Sequence, residues 1–230
     1  MHDIVDKTLS FVFEHTDYKT IGVGRTDAKV SSRNYPLQLF INDIVDEKWF
    51  LEKFNYNAAN DLKAISIESC ETSFNIISTP KIKTYHYYFS FGQKQDPYLA
   101  PLMAGFTENL DIELMQKAAK LFQGTHHFQK YCSQPTEHTI FERKIDSCTL
   151  EKNTFLIGNY FPEESYVLEI KGKGFLRYQI RYIMAVLYHL GKGELSFEEI
   201  EQSLTLYNDK KSWPFIAPSS GLQLYDVTFL

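Results

Sequence analysis

The chain has few cysteines and no long apolar run. The first argues against a disulfide framework or a cysteine-rich metal site, and the second argues against a membrane protein. Its 230 residues include three cysteines, Cys70, Cys132 and Cys148. Their number is odd and their spacing fits no close metal-ligand pattern, so we interpret them as reduced, structural residues. No secretory signal and no apolar segment of about 18 residues stands out. The sequence therefore predicts a cytoplasmic protein that does not enter the membrane.

An excess of positive charge is also missing. The chain has 24 Lys and Arg against 29 Asp and Glu, a formal net charge of −5 at pH 7, whereas many nucleic-acid-binding domains are basic overall. Net charge is a weaker guide than charge distribution. One segment is locally basic, and it contains Lys171, Lys173, Arg177 and Arg181. The composition thus argues against a generally basic protein but leaves a local anion-binding surface open.

Neither an internal repeat nor a low-complexity tract is visible, and 43% hydrophobic residues are enough for a sizeable core. Helical periodicity predicts helices over 2–15, 46–58, 111–122, 175–190 and 196–207, the last opened by a capping box of Ser196 and Glu199. Alternating patterns predict strands over 20–23, 34–41, 62–69, 82–91, 139–152, 155–161, 166–171 and 222–230. This succession indicates an α+β fold with largely antiparallel sheets.

The segment from Gly92 to Gly105 interrupts every regular pattern with two glycines and two prolines. We therefore predict an N-terminal α/β subdomain over 1–92, a linker over 93–105 and a C-terminal α/β subdomain over 106–230.

The most informative short segment is Gly24-Arg25-Thr26-Asp27-Ala28. It places a carboxylate beside a guanidinium after a predicted strand, and Gly22 and Gly24 permit a close backbone approach. Loop positions of this kind often carry functional groups on a rigid scaffold. The same residues also suit a turn capped by Asp27 and neutralised by Arg25. Spacing alone leaves both interpretations open.

Four segments in order resemble motifs of the tRNA pseudouridine synthase A family, and they extend over nearly the whole chain. They are 24–28, 83–88 (KTYHYY), 172–181 (GKGFLRYQIR) and 217–224 (APSSGLQL). Four positions depart from the family pattern. The family continues after 24–28 with Gly-Val-His-Ala, whereas this chain has Lys29-Val30-Ser31-Ser32, in which only Val30 matches. His127, in Gly124-Thr125-His126-His127-Phe128, stands where the family has an acidic residue.

The resemblance implies a role for each matching residue. Asp27 corresponds to the catalytic carboxylate, Tyr85 to the aromatic residue that stacks on the target uracil, and Arg181 to the basic residue that pairs with the carboxylate. The resemblance also implies substrate contacts for Arg25, which helps extrude the target base, and for Phe175 and Leu176 as walls of the base pocket. The local cluster of basic residues predicts RNA contacts for Arg177, Lys171 and Lys173. Without the resemblance, Tyr85 is better interpreted as a core residue, and Arg177 with Arg181 equally suits an amphipathic surface helix.

The implied activity is the conversion of uridine to pseudouridine in tRNA near the anticodon stem-loop, by a homodimer whose two subdomains join their sheets across a central basic cleft. No metal or redox cofactor is expected, and adjacent His126 and His127 do not suit a metal. Two alternatives remain. One is a non-catalytic RNA-binding relative, and the other is an unrelated carboxylate hydrolase, which would need a second carboxylate near the first.

Members of the family usually begin with a strand and a Gly-Trp-Gln segment before the first helix. This sequence opens with that helix at about His2, so we expect a sheet edge without its usual partner. An uncovered edge favours self-association.

Overall fold

A computed structural model describes residues 2–158, 160–205 and 211–230. Its elements in chain order are α1 (His2–Phe13), β1 (Tyr18–Gly22), β2 (Ser31–Ser32), β3 (Leu37–Ile41), α2 (Glu47–Asn57), β4 (Lys81–Ser90), β5 (Ala104–Gly105), α3 (Ile112–Ala119), β6 (Gly124–His127), β7 (Glu142–Lys152), β8 (Ser165–Gly172), α4 (Gln179–Gly191), α5 (Phe197–Ser203) and β9 (Leu222–Phe229). Most strand pairs are antiparallel, which confirms the predicted α+β fold. Within these described ranges no helix is both long and apolar enough to cross a membrane.

Contacts divide the chain into two compact units. Unit 1 consists of the residues up to Arg25 together with Tyr35–Thr79, and unit 2 consists of Thr26–Asn34 and Pro80–Leu230. The sequence-based division at 93–105 places β4 with the first half, whereas in the structure β4 pairs with β8 and β9 of unit 2 along its length. As a division into independently folding domains, the boundary at 93–105 stays a prediction.

Unit 1 is a two-stranded sheet with two helices. Strands β1 and β3 pair antiparallel over five residues each, and α1 packs on α2 through a core of Leu9, Val12, Phe50 and Phe54. Helix α2 begins where Asp46 accepts a hydrogen bond from the Trp49 amide, as an N-cap aspartate does. The predicted helices over 2–15 and 46–58 are thus confirmed within two residues.

Unit 2 is built on a sheet with the strand order β2-β9-β4-β8-β7-β6. Strand β4 lies inside the sheet, and its side chains from Thr84 to Ser90 are all buried. The strand predicted over 82–91 is therefore covered on both faces. Helix α4 supplies ten buried residues, and α3 packs against both α4 and β7. The motif segment 83–88 therefore lies on a strand inside the sheet of unit 2.

Two predicted strands, over 62–69 and over the described residues of 155–161, are absent from the structure. Over 62–69 the Asn55 side chain of α2 donates to the Ala64 carbonyl and accepts from the Ala64 amide, so a side-chain amide takes the place of a neighbouring strand. Over 155–161 the Asn153 carboxamide oxygen accepts from the amides of Phe155 and Leu156. Such an Asx turn competes with a sheet ladder, and the chain turns where the apolar pattern predicted a strand.

Three helices differ from their predicted bounds. The helix predicted over 111–122 is α-helical from Ile112 to Ala119 and continues as a 3-10 helix over Lys120–Phe122. The predicted helix over 175–190 begins only at Gln179, because the preceding Tyr178 has a left-handed backbone with φ of 65°. The capping box of Ser196 and Glu199 is confirmed, with both reciprocal hydrogen bonds present, and α5 then runs to Ser203. The predicted end of this helix at Tyr207 lies outside the described residues.

Candidate functional site

The loop that carries Asp27 is fastened to the edge of the sheet in unit 2. The Val30 amide donates to the Asp27 carbonyl at 3.1 Å and closes a tight turn, in which Lys29 has φ of 67°. Just beyond the turn, β2 pairs parallel with β9. The Ser32 hydroxyl and the Arg33 amide both donate to the Leu224 carbonyl, at 3.1 Å and 3.0 Å. These bonds fix the position of Asp27 relative to β9.

Arg181 of α4 reaches the Asp27 side chain. Its Nη1 donates to Asp27 Oδ2 at 3.2 Å, joining residues that are 154 positions apart. Its Nε donates to the Ala217 carbonyl at 2.9 Å, and the Ala217 amide donates back to the Arg181 carbonyl at 3.2 Å. The side chains of Arg181 and Asp27 are 13% and 25% exposed. The guanidinium is thus held from two sides, while the carboxylate stays partly open to solvent.

The turn before α4 is closed by Gln179. Its side-chain Oε1 accepts from the Leu176 amide at 2.7 Å, and its own amide donates to the Leu176 carbonyl at 3.1 Å. The ring of Tyr178 lies next to two guanidinium groups, whose carbons are 5.1 Å (Arg177) and 4.8 Å (Arg181) from its centroid. Both distances suit cation–π contacts. Arg177 itself is exposed.

Tyr85 of β4 packs edge-on against Phe175, with ring centroids 5.4 Å apart and an interplanar angle of 86°. Its side chain is 9% exposed. The β4–β9 register shifts at this position, because Thr84 lies opposite Asp226 and Tyr85 opposite Leu224, so β9 carries a bulge there. Bulges often re-aim side chains next to functional sites. The structure thus brings Tyr85 to Phe175 and separately brings Arg181 to Asp27.

The predicted lysines have different surroundings. Lys171 Nζ lies 2.8 Å from Glu169 Oε1, and the other oxygen of Glu169 lies 3.0 Å from Nε2 of the buried His86. Lys173 is exposed in the loop before α4. Arg25 is also exposed, and it belongs to unit 1. Lys171 therefore has an acidic partner at hand, and Lys173 is the more accessible cation.

Three residues of the site did not figure in the sequence-based roles. Ala217 holds Arg181 through its backbone, Gln179 closes the Leu176 turn, and Tyr178 lies against two guanidinium groups. Backbone contacts such as those of Ala217 leave no side-chain signal. Tyr178 has none either, because a left-handed tyrosine contradicts ordinary backbone preference.

Comparisons with known proteins point in one direction. Residues 118–229 match the family model described as tRNA pseudouridine synthase. A tRNA pseudouridine synthase A of Thermodesulfovibrio yellowstonii is 29% identical over 98% of this chain and 88% of its own length. That of Staphylococcus carnosus is 30% identical over 80% of this chain and 65% of its own length. That of Aster yellows witches'-broom phytoplasma is 26% identical over 97% of this chain and 89% of its own length. The family model matches part of unit 2, and the first of these relatives aligns with both units.

Proposed function

We propose that the chain is a tRNA pseudouridine synthase, as its similarity to that family supports, and that it forms pseudouridine in tRNA near the anticodon stem-loop with Asp27 as nucleophile. The observation that supports this proposal is the 3.2 Å contact between Arg181 and Asp27. It joins two of the four family-like motifs at a partly open carboxylate. The finer points, namely the target region and the nucleophile, rest on the family resemblance together with this geometry.

The reaction moves one bond. The N1–C1′ bond of uridine breaks and a C5–C1′ bond forms, while a proton leaves C5 and N1 gains one. A carboxylate can supply the covalent or charge-stabilising step without a metal. In the described residues Asp27 Oδ2 is engaged by Arg181, so we assign Oδ1 as the attacking atom. Arg181 fixes the rotation of the carboxylate and balances its charge.

The detached uracil must be held while it turns. We assign Tyr85 as the stacking partner and Phe175 with Leu176 as the wall of the base pocket, because Phe175 already packs on Tyr85. A target base leaves its stack at a cost of a few kcal/mol. We assign Arg25 to the extrusion step, and the exposed cations Arg177 and Lys173, with Lys171, to the RNA phosphates.

The proposal also includes tRNA as the binding partner and a homodimer, which the family resemblance implies, and a cytoplasmic location, which the sequence predicts. A non-catalytic RNA-binding role is the alternative. It is favoured by Lys29, whose φ of 67° lies where the family pattern has a glycine. Retention of the Asp27–Arg181 contact favours the catalytic role.

Tritium release from tRNA labelled at C5 of uridine tests the proposal, because tritium leaves only when C5 loses its hydrogen. We expect release at substoichiometric enzyme, and we expect it to fall when the anticodon-arm uridines of the transcript are replaced by cytidine. Release that is indifferent to this replacement would place the target elsewhere in the RNA. Binding without release would support the non-catalytic alternative, and light scattering of the same sample would report whether the protein is a dimer.

A further inference from the structure

The structure assigns a positioning role to Tyr178, whose ring supports the guanidinium groups of both Arg177 and Arg181. We propose that this ring orients Arg181 towards Asp27 and also presents Arg177 to the RNA. The inference rests on the proposed function of the Asp27 site and adds a residue to it.

The backbone of Tyr178 is the first observation. Tyr178 is the N-cap of α4, yet its side chain makes no capping hydrogen bond and its φ is 65°. A left-handed backbone is costly for a residue with a Cβ, and at such positions glycine or asparagine is usual. A large aromatic residue in this conformation therefore needs a compensating interaction.

Neighbouring hydrogen bonds hold the strained residue in place. The Ser133 amide donates to the Arg177 carbonyl at 3.1 Å, and the Tyr182 amide donates to the Tyr178 carbonyl at 3.0 Å. On the C-terminal side, Gln179 is bonded to Leu176 in both directions. The surrounding structure thus determines the left-handed conformation, as it does at many functional sites.

The ring contacts are the second observation. The guanidinium carbons of Arg181 and Arg177 lie 4.8 Å and 5.1 Å from the Tyr178 centroid, and two like charges approach one π system. Arg181 has three further bonds, to Ala217 and Asp27, whereas Arg177 is exposed. The ring attracts both cations and so links the partly buried ion pair to a cation that can reach RNA phosphate.

The proposed role requires an aromatic ring at position 178. A phenyl ring preserves the π face, and a leucine preserves apolar volume but has no quadrupole. Both carry a Cβ and bear the same left-handed backbone cost. Comparing Tyr178→Phe with Tyr178→Leu therefore isolates the ring interaction from backbone strain.

The test is single-turnover pseudouridine formation at saturating full-length enzyme, with the dissociation constant for tRNA and the melting temperature measured on the same samples. We expect Tyr178→Leu to lower the single-turnover rate about tenfold, and we expect Tyr178→Phe to retain most of it. The melting temperatures of the two variants should agree within about 2 °C. Tyr56→Leu, which alters a tyrosine that is 88% exposed in α2, is the matched control.

The outcomes separate this inference from the proposed function. Equal rates for the Leu and Phe variants would overturn the role of the Tyr178 ring, even with a fully active parent protein. A rate loss that merely follows a lower melting temperature would also overturn it, because that pattern is a stability effect. A parent protein that binds tRNA but releases no tritium would instead refute the proposed function itself.

Discussion

The side chain of Asp27 offers the sharpest test at the scale of single residues. Asp27→Asn keeps the shape and the neighbours of the carboxylate but removes its charge and nucleophilicity. We expect pseudouridine formation to fall by about three orders of magnitude or more. We expect tRNA affinity to stay within about threefold, because phosphate contacts supply most of the binding energy. Tritium release and filter binding measure the two quantities.

Asp61→Asn is the control for that substitution, because Asp61 is an exposed carboxylate in unit 1. Its tritium release should equal that of the parent protein. Turnover by Asp27→Asn near the parent rate would show that another group performs the chemistry.

Lys29 makes a separate prediction about stability. It is exposed and has φ of 67°, a conformation that costs an L-residue about 1–2 kcal/mol. Lys29→Gly removes this strain without removing buried contacts. We expect the melting temperature to rise by about 2–4 °C, the shift that about 1 kcal/mol produces in a protein of this size.

Lys29→Ala distinguishes strain relief from loss of the lysine charge, because alanine still carries a Cβ. Its melting temperature should stay close to that of the parent. An equal increase in both variants would attribute the effect to charge, and no increase in Lys29→Gly would show that the turn is not strained.

Individual residues also show where sequence reasoning stops. The order of the motifs was enough to associate Asp27 with Arg181, because motif matching does not depend on their separation of 154 positions. The same method could not find Tyr178. Its backbone conformation is held by hydrogen bonds that motif matching does not reveal, from the Ser133 amide to the Arg177 carbonyl and from the Tyr182 amide to the Tyr178 carbonyl. The chemical roles of Tyr85 and the lysines stay predictions, since no ligand contact tests them.

At the scale of elements, apolar periodicity located most helices and strands but failed where side-chain amides intervene. The segments 62–69 and 155–161 both have strand-like composition, and each is diverted by one asparagine, Asn55 or Asn153. Periodicity records which residues are apolar, and it carries no information on whether a partner strand is within reach. The long central strand β4, by contrast, was predicted within one residue at each end.

The loop between β8 and α4 gives a prediction about RNA binding. Lys173 is exposed there, whereas Lys171 is within 2.8 Å of Glu169. A cation without a nearby carboxylate releases more counterions on binding RNA, so Lys173→Ala should shallow the slope of log K against log salt by about one unit. Lys171→Ala should change it less.

The comparison needs filter-binding titrations at several salt concentrations, with Lys94→Ala as the control because Lys94 is exposed outside the motif segments. A larger slope change for Lys171→Ala than for Lys173→Ala would contradict the assignment. Unchanged slopes in both would mean that these lysines only solvate the surface.

For the whole molecule, the net charge of −5 fits with RNA binding only if the binding surface is local. Unit 2 holds Asp27, Arg181, Tyr85 and the basic loop, and Arg25 belongs to unit 1. The sequence did not predict that Thr26–Asn34 belongs to the second unit. This membership depends on the pairing of two residues of β2 with β9, which lies almost 200 positions away in the chain.

The sheet of unit 2 also predicts how global stability depends on pH. His86 is fully buried, with hydrogen bonds to the Tyr88 hydroxyl and to Glu169 and a stacked contact with Tyr225. Burial lowers the pKa of His86, and the bond to Glu169 offsets this in part. In the unfolded chain the imidazole titrates near 6.5. The unfolded state therefore binds more protons than the folded state as pH falls below about 6.5.

This difference in bound protons determines how stability changes with pH. The stabilising contribution of neutral His86 is complete above about pH 6.5 and is lost as pH falls towards the lowered folded-state pKa. Its neighbours titrate outside this range. Partial burial of Glu169 raises its pKa, but hydrogen bonds from Lys171 and His86 outweigh burial, so the pKa is lowered overall. Burial raises the pKa of Tyr88 to about 12. Urea unfolding of the parent should thus give a smaller free energy at pH 5.5 than at pH 7.5.

His86→Gln tests the assignment, because glutamine can hydrogen-bond but does not titrate. We expect it to be less stable than the parent at pH 7.5, since it loses the stacked ring, but to lose less stability between pH 7.5 and 5.5. His138→Gln is the matched control, because His138 is exposed and its imidazole meets water in both states. If His86→Gln and the parent lose equal stability over this range, another buried group governs the acid sensitivity of the sheet.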